Sequence, residues 1–435
     1  MDEFDYVVVG AGSAGCAVAA RLSEDPAARV ALVEAGGEDE SVLIRAPLGF
    51  ALAAKIGRHV LRYQTVPQPG LAGRRGFQPR GKVLGGSSAI NAMIYCRGHR
   101  SDYDGWAAAG NPGWDHESVL PCFRRAEGTE CYADNTWHNT TGPLGVSWLR
   151  SPFPSTLAFL DACAASGLAQ TDYNGARQEG SSLAQVTMRG GERCSAARAY
   201  LAPIRSRANL AVFTDTPTLR LVFDGRRAIG IEVLRGDKRV RLAARREVIV
   251  CAGAYGSPQL LMCSGIGAAA TLGEHGIAVV HELPGVGQNL QDHITASLNW
   301  HSPRRDAGLA LSPSGVLDLW RAISQWRRER RGPITSNVAE AVGFLRSDPT
   351  LDAPDIELEF LSAMVDDHNR RMHLGHGIGL HVTLLRPASR GEVRIASRDT
   401  RDAPLIDPRY FSAAADMPRL VRGVQRALAI MDAAP

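Results

Sequence analysis

The chain of 435 residues contains no uninterrupted apolar run near the roughly 18 residues that cross a bilayer, so no membrane-spanning helix is expected. It has no C-x-x-C pair; its eight cysteines are scattered at positions 16, 96, 122, 131, 163, 194, 251 and 263. That scatter argues against a disulfide framework and points to buried or idle thiols in a reducing compartment, the cytoplasm. An excess of one charge is also missing. Lys plus Arg number 49 and Asp plus Glu 45, a net +4 too diffuse for a nucleic-acid footprint. The opening "MDEFDYVVV" is acidic and runs straight into a strand pattern, unlike a signal peptide. There is no internal repeat and no low-complexity tract. The composition, 45% hydrophobic and 22% charged, is that of a globular protein, and the length exceeds what one core usually fills.

What is present begins with a strand over Tyr6–Val9, a glycine turn, an Ala-rich helix over Cys16–Leu22 and a second strand over Arg29–Val33. Strand, turn, helix and strand in about thirty residues make a βαβ unit. Residues 58–80 are rich in Pro, Gly and Arg and are expected to be irregular. Asp115 is placed to cap a helix over the following "HESVLPCFRRAE". Residues 128–155 read as loop and short strand. From 209 to 234 the alternation predicts strands turning at Asp224-Gly225. A buried strand over Val248–Cys251 breaks at Gly253 into a helix. Residues 318–331, "DLWRAISQWRRERR", predict a basic amphipathic helix, and Ile356–Phe360 and Gly379–Leu385 two more strands.

Gly10, Gly12 and Gly15 fit G-x-G-x-x-G between a strand and a helix, and Glu34 follows at roughly the 20-residue spacing of a dinucleotide fingerprint. The helix N-terminus would then face the phosphates with its free N–H groups. Glu34 can accept from both hydroxyls of an adenosine ribose, and its charge disfavours a 2′-phosphate. NADP is therefore disfavoured, while NAD and FAD both stay open. A second glycine segment, "GKVLGGSSAINAMIY" (Gly81–Tyr95), favours FAD, because an isoalloxazine ring needs close backbone partners that a nicotinamide cofactor does not.

At this point the residues carry a family resemblance. "GKVLGGSSAIN" with "YCRGHRSDYDGW" resembles the first signature of the glucose–methanol–choline (GMC) flavin oxidoreductases, "GAYGSPQLLMCSGIG" the second, and "LPGVGQNLQDH" a third block. "RPASRGEVRIASRD", "PLIDPRYF" and "PDIELEFLSAMVDDH" resemble the family's second half, nearest its choline dehydrogenase-like and aliphatic alcohol dehydrogenase-like members. The resemblance implies an α/β fold: a Rossmann-type FAD-binding domain over 1–297, with insertions around 128–191, and a second α+β substrate domain over 298–435, the C-terminal family region starting near 388. It implies hydride removal from the CH–OH of a primary alcohol, of the choline or aliphatic class, with quinone or oxygen as electron acceptor. Carried over by position, Gly10, Gly12, Ser13, Gly15, Glu34 and Ala35 would hold the ADP half. Val83, Gly86, Asn91, Ala92, Met93 and Ile94 would lie along the flavin, Thr218 would face the adenine through its backbone, and Ala252 and Gly253 would pass near the pyrophosphate.

Where some members carry a histidine bonded covalently to FAD, this chain has Ala89, which implies non-covalent FAD. The family's "NWxYxTxPQ" stands here as "VLRYQTVPQ", with Leu61 in place of tryptophan. The family's acid–base histidine and its partner lie in segments that would follow Pro435. The expectation is thus a shortened alcohol dehydrogenase with no catalytic residue among these positions, or, alternatively, an inactive flavin-binding remnant. His368, His373, His376 and His381 lack familiar ligand spacing and are expected to line a cleft rather than hold a metal. Asp292, beside His293, is expected to orient a loop. The basic run 327–331 suggests a solvated helix face with possible contact to an anionic membrane surface.

Overall fold

The computed structural model describes residues 2–433 except 58, 305, 311, 312, 368, 369 and 372, so His368 of the histidine group lies outside the described residues. The expected βαβ start is present as β1 (Asp2–Val9), α1 (Ser13–Leu22) and β2 (Val30–Val33). Val7, Val8 and all of β2 are buried, as a parallel strand covered on both faces requires. Four further strands complete the sheet: β3 (Leu210–Phe213), β4 (Thr218–Asp224), β5 (Arg227–Arg235) and β6 (Lys238–Val250). Their order is β3-β2-β1-β6-β5-β4, with β3, β2, β1 and β6 parallel and β6, β5 and β4 an antiparallel meander. The turn expected at Asp224-Gly225 joins β4 to β5, with Gly225 at φ 56°.

Two sequence expectations need correction. The alternating run 209–234 does not stay together: β3 pairs with β2 at one edge, and β4 lies at the other. Asp215 (φ 49°) and Pro217 break the run, and the Thr216 N–H donates to the Glu34 carbonyl at 2.9 Å, carrying the chain across the strand ends. The stretch 58–80 is not irregular; Val60–Gln64 and Phe77–Gly81 form an antiparallel pair. Local composition disfavours that pair, but tertiary contacts supply what it lacks. Val60 and Phe77 are buried, the Val66 N–H donates to the Ile406 carbonyl, and Gln78 Nε2 donates to Asp292 at 2.9 Å.

After α2 (Gly253–Cys263), a second sheet is built from β7 (Ile294–His301), β8 (Ala339–Leu345), β9 (Ile356–Leu361) and β10 (Gly377–Leu384). Its order is β7-β10-β9-β8, extended by Gly180–Leu183, and every pairing is antiparallel. Strand alternation separates its faces. Leu358, Phe360, Leu380 and Val382 pack under the helix Pro154–Ala165 and α3 (Asp416–Met431), with Phe159 and Phe360 stacked at 4.8 Å. Glu359, His381 and Thr295 point the other way, into a cleft. β7 runs across the 297/298 divide. Pro154–Ala165 and Gly180–Leu183, from the 128–191 region, also belong to this second layer.

The helix expected after Asp115 spans His116–Ala126, and Asp115 caps it by accepting the Ser118 N–H at 3.0 Å. The basic helix spans Pro313–Glu329. Among the described residues, no helix is long and apolar enough to cross a membrane.

A buried charge cluster ties the 127–139 loop to the body. His138 Nδ1 donates to Glu127 at 3.0 Å and Nε2 to Asp172 at 2.7 Å, while Arg97 pairs with Glu127 at 2.8 Å. Burial pushes the His138 pKa down, but the bonds to Asp172 and Glu127 outweigh it and hold the imidazolium, with a pKa of about 9 against an ordinary 6.5. Because the folded value is the higher one, the stabilisation is complete below pH 6.5 and is lost as pH rises through about 9. The urea midpoint is therefore expected to fall between pH 6.5 and 9.5 in the native chain and to fall less steeply in His138→Gln. Parallel curves for the two proteins would refute the role of His138.

Candidate functional site

The crevice lies where the parallel strands end. Val9 and Val250 are partners in register, so α1 and α2 start side by side from the C-terminal ends of β1 and β6. Neither helix has a side-chain cap, and Ser13, Ala14, Gly253 and Ala254 are exposed. Their first N–H groups have no partner within the helix and present a positive dipole end to an anion. Gly15 is required by packing, because a Cβ there would stand 1.8 Å from the Gly10 carbonyl oxygen. Ala252 caps α2 from its backbone, one residue after Cys251, whose N–H donates to Val9.

Glu34 sits at the end of β2, buried. Its Oε2 accepts the Ala11 N–H and its Oε1 the Gly36 N–H, each at 2.9 Å. Burial raises its pKa and the two backbone bonds oppose that rise. Each carboxylate oxygen keeps a further lone pair for a ribose hydroxyl. Ala35 follows it, half-buried. Thr218 lies two residues beyond Thr216, which is bonded to Glu34, but its carbonyl already accepts the Thr400 hydroxyl at 2.9 Å.

The second glycine segment packs directly on the first. The Gly85 N–H donates to the Ala11 carbonyl at 2.8 Å, and a Cβ on Gly86 (φ 53°) would stand 2.6 Å from Gly12 Cα. From there the chain delivers Asn91 and Ala92 to the wall of the cleft. Val83 and Met93 do not reach it: both are fully buried, Val83 against Ile44 and Ala89, Met93 against Tyr173 and Val186. Ile94 packs beside the Met93 cluster, in a bridge to Val186.

Sequence reasoning missed what stands behind this segment. The Ala196 N–H donates to Ser88 Oγ at 2.9 Å, and Arg193 donates to the Ser88 carbonyl and to Asn91 Oδ1. An arginine inside the small-residue run "GERCSAARAYL" was the one available signal.

The cleft encloses about 2290 Å³. Its lining includes Ser87, Ile90, Asn91 and Ala92 from the second glycine segment and Thr295, Ser297, Glu359 and His381 from the second sheet. Apolar side chains including Phe50, Trp326, Ile334, Val338 and Leu361 line much of the remainder. His373 contacts Asp366 at 3.2 Å and His381 lies 3.4 Å from Glu359, so these two cleft histidines lean on separate carboxylates, while His376 Nδ1 is buried without a partner among the described residues. Asp292 accepts from Gln78 and from the Tyr410 hydroxyl, and thus ties the loop before β7 to the 77–81 strand. Glu340 is fully buried and accepts from Phe153 N, Thr156 Oγ1 and Ser336 Oγ at 2.6–2.8 Å.

Two uncapped helix starts, an acidic residue closing β2 and a second loop leading from the first into a large cleft define a dinucleotide-dependent oxidoreductase. Comparison with known proteins narrows this further. Profiles of the GMC oxidoreductases match residues 4–295 and 387–435. Alcohol dehydrogenase [acceptor] of Pseudomonas putida is 42% identical over 436 residues, covering 99% of this chain and 78% of that one. Mitochondrial choline dehydrogenase of Homo sapiens is 41% identical, covering 96% and 71%. Among solved structures, pyridoxine 4-oxidase from Mesorbium loti aligns with a TM-score of 0.85 at 32% identity, covering 99% of this chain and 80% of that one. Aspergillus oryzae RIB40 formate oxidase, whose FAD modification was studied by mutation, aligns at 0.88 and 25% identity, covering 99% and 81%. The chain belongs to the GMC oxidoreductase family. Its cofactor is FAD, and the residues present fit it: bare N–H groups at both helix starts, and loops that a single Cβ would wedge apart.

The Gly12–Gly86 approach sets a test. Gly86→Ala adds both a left-handed strain of about 1–2 kcal/mol and a backbone clash, so FAD is expected to bind at least about tenfold more weakly. Gly73→Ala is the control: also left-handed (φ 76°), but with nothing within 4 Å. Titration of each apoprotein with FAD, followed by flavin fluorescence, reads the difference. Equal affinities would mean that the loop contact does not shape the cofactor site.

Proposed function

We propose that this oxidoreductase removes hydride from the CH–OH of a primary alcohol and holds FAD without a covalent bond. The observation that carries the reading is the seating of Gly85-Gly86 on the Ala11-Gly12 loop, which places the cleft-lining Asn91 and Ala92 beside the nucleotide crevice. In this reading Gly10, Gly12, Ser13, Gly15, Glu34 and Ala35 receive the ADP half, with Thr218 beside the adenine and Ala252-Gly253 beside the pyrophosphate. Asn91, Ala92 and Ile94, with Val83, Gly86 and Met93 behind them, would lie along the ring. FAD supplies the hydride acceptor; the chain binds and orients both reactants and shields them from water. The FAD-binding part falls within 1–297 and the substrate-side part centres on 298–435, with β7 crossing that boundary and Pro154–Ala165 and Gly180–Leu183 added to the substrate side.

The apolar walls support an aliphatic alcohol over choline. A quaternary ammonium group calls for a free carboxylate inside an aromatic cage, whereas the carboxylates lining the cleft are engaged: Glu359 lies against His381, Asp366 against His373, Asp367 against Arg370, and Asp292 accepts from Gln78 and Tyr410. Ala89, where some members have a linking histidine, supports non-covalent FAD. We assign the base that takes the hydroxyl proton to none of the described histidines. The final electron acceptor is a quinone or oxygen. Eight free thiols support a reducing, cytoplasmic compartment, and exposed Trp320, Arg327, Arg328 and Arg331 support peripheral contact with an anionic membrane surface.

The test is the visible spectrum of the FAD-loaded chain, taken anaerobically before and after a medium-chain primary alcohol or choline. Bleaching by the aliphatic alcohol with little response to choline is the expected result. A flavin spectrum that no alcohol changes would remove the alcohol reading. Release of the flavin into the supernatant on acid precipitation is expected as well, and flavin retained in the pellet would refute non-covalent binding. For the membrane contact, sedimentation with phosphatidylserine vesicles but not with phosphatidylcholine vesicles is expected, weakening with salt; equal recovery with both would overturn it.

A further inference from the structure

Arg193 is a buried cation that no carboxylate answers among the described residues. It is 3% exposed, and its Nε donates to the Ile44 carbonyl at 3.1 Å. Nη1 donates to the Ser88 carbonyl at 3.2 Å and to Asn91 Oδ1 at 2.9 Å, while Nη2 is buried with no partner. Burial alone pushes its pKa down, to about 9. A guanidinium kept at such cost, bonded only to neutral oxygens, is poor evidence of a stabilising device, because a neutral or apolar residue would avoid the desolvation. What the guanidinium does instead is visible at Asn91. The Asn91 Oδ1 receives two donors, Arg193 Nη1 and the Met93 N–H at 3.1 Å. Neither donor can accept, so the amide has only one workable orientation. Its oxygen faces the protein and its NH2 faces the cleft, where Asn91 is exposed.

We infer that Arg193 is a positioning residue whose fork fixes the Asn91 amide so that Nδ2 is presented to the flavin as a hydrogen-bond donor. This rests on the reading that the ring lies along Asn91–Ile94. A donor fixed at the ring edge favours the electron-rich reduced flavin over the oxidised form. Nη1 alone serves both Ser88 and Asn91, so a lysine ammonium, with three donors on one nitrogen, could keep that pair, whereas methionine at 193 donates to neither.

The experiment is the flavin midpoint potential of the FAD-loaded protein, measured by dye equilibration without substrate. Loss of one such bond is worth about a tenfold change in the two-electron equilibrium constant, a fall of about 30 mV. Asn91→Ala is expected to show it, Arg193→Met to show it in similar size, and the double variant to fall no further. Additive shifts would mean that Arg193 acts on the flavin independently, and an unchanged potential in Arg193→Met beside a lowered one in Asn91→Ala would mean that it does not position the amide. Either result overturns the proposal while leaving the ring's location intact. Should Arg193→Met fail to load FAD, Arg193→Gln, too short to reach Asn91, takes its place: the same fall is expected, and an unchanged potential overturns the proposal. If every Asn91 variant keeps the native potential, the ring does not lie against Asn91, and that underlying reading fails with the proposal.

Discussion

The close approach of two backbone loops governs this structure. Gly85-Gly86 rests on Ala11-Gly12, with a hydrogen bond from the Gly85 N–H to the Ala11 carbonyl and no room for a side chain on Gly86. One loop belongs to the βαβ unit and the other begins the route to the cleft wall. Their contact therefore sets the distance between the nucleotide crevice and the place where chemistry is done.

The two layers around that contact solve different problems. The parallel sheet is buried on both faces and offers its strand ends, where helix N-termini gather free N–H groups. The antiparallel sheet is buried on one face only, so alternation leaves Thr295, His381 and Glu359 turned to the cleft while Leu380 and Leu358 pack beneath the helices. A site assembled from the edge of one sheet and the face of another is large, and its walls are mixed: backbone and small residues on the cofactor side, side chains on the substrate side.

Buried charge is handled in two ways. In the Arg97–Glu127–His138–Asp172 cluster, two cations meet two anions, and the imidazolium is stabilised well above its ordinary range. Arg193 has neutral acceptors only, and burial depresses it. The first arrangement anchors a loop; the second stands directly behind the cleft wall.

The sequence by itself determined the local elements and the class of chemistry. The valine-rich β1 and β2, the glycine turn between strand and α1, the Asp115 cap and the turn at Gly225 each follow from short-range sterics and hydrogen bonding, and so were legible without coordinates. Glu34 at its fixed spacing and the long glycine motifs were legible for the same reason: backbone approach to a cofactor tolerates few residues. Tertiary structure alone decided partners. Alternation in 209–234 says that strands form, not that β3 crosses to the far edge, and the composition of 60–81 hides a strand pair that Ile406 and Asp292 hold from more than two hundred residues away. Within Asn91–Ile94 it decided that Asn91 and Ala92 face the cleft while Met93 turns into the core at φ 60°, and that an arginine a hundred residues later fixes the Asn91 amide. Those choices depend on which distant groups desolvate together, a non-local energy that no window of sequence contains.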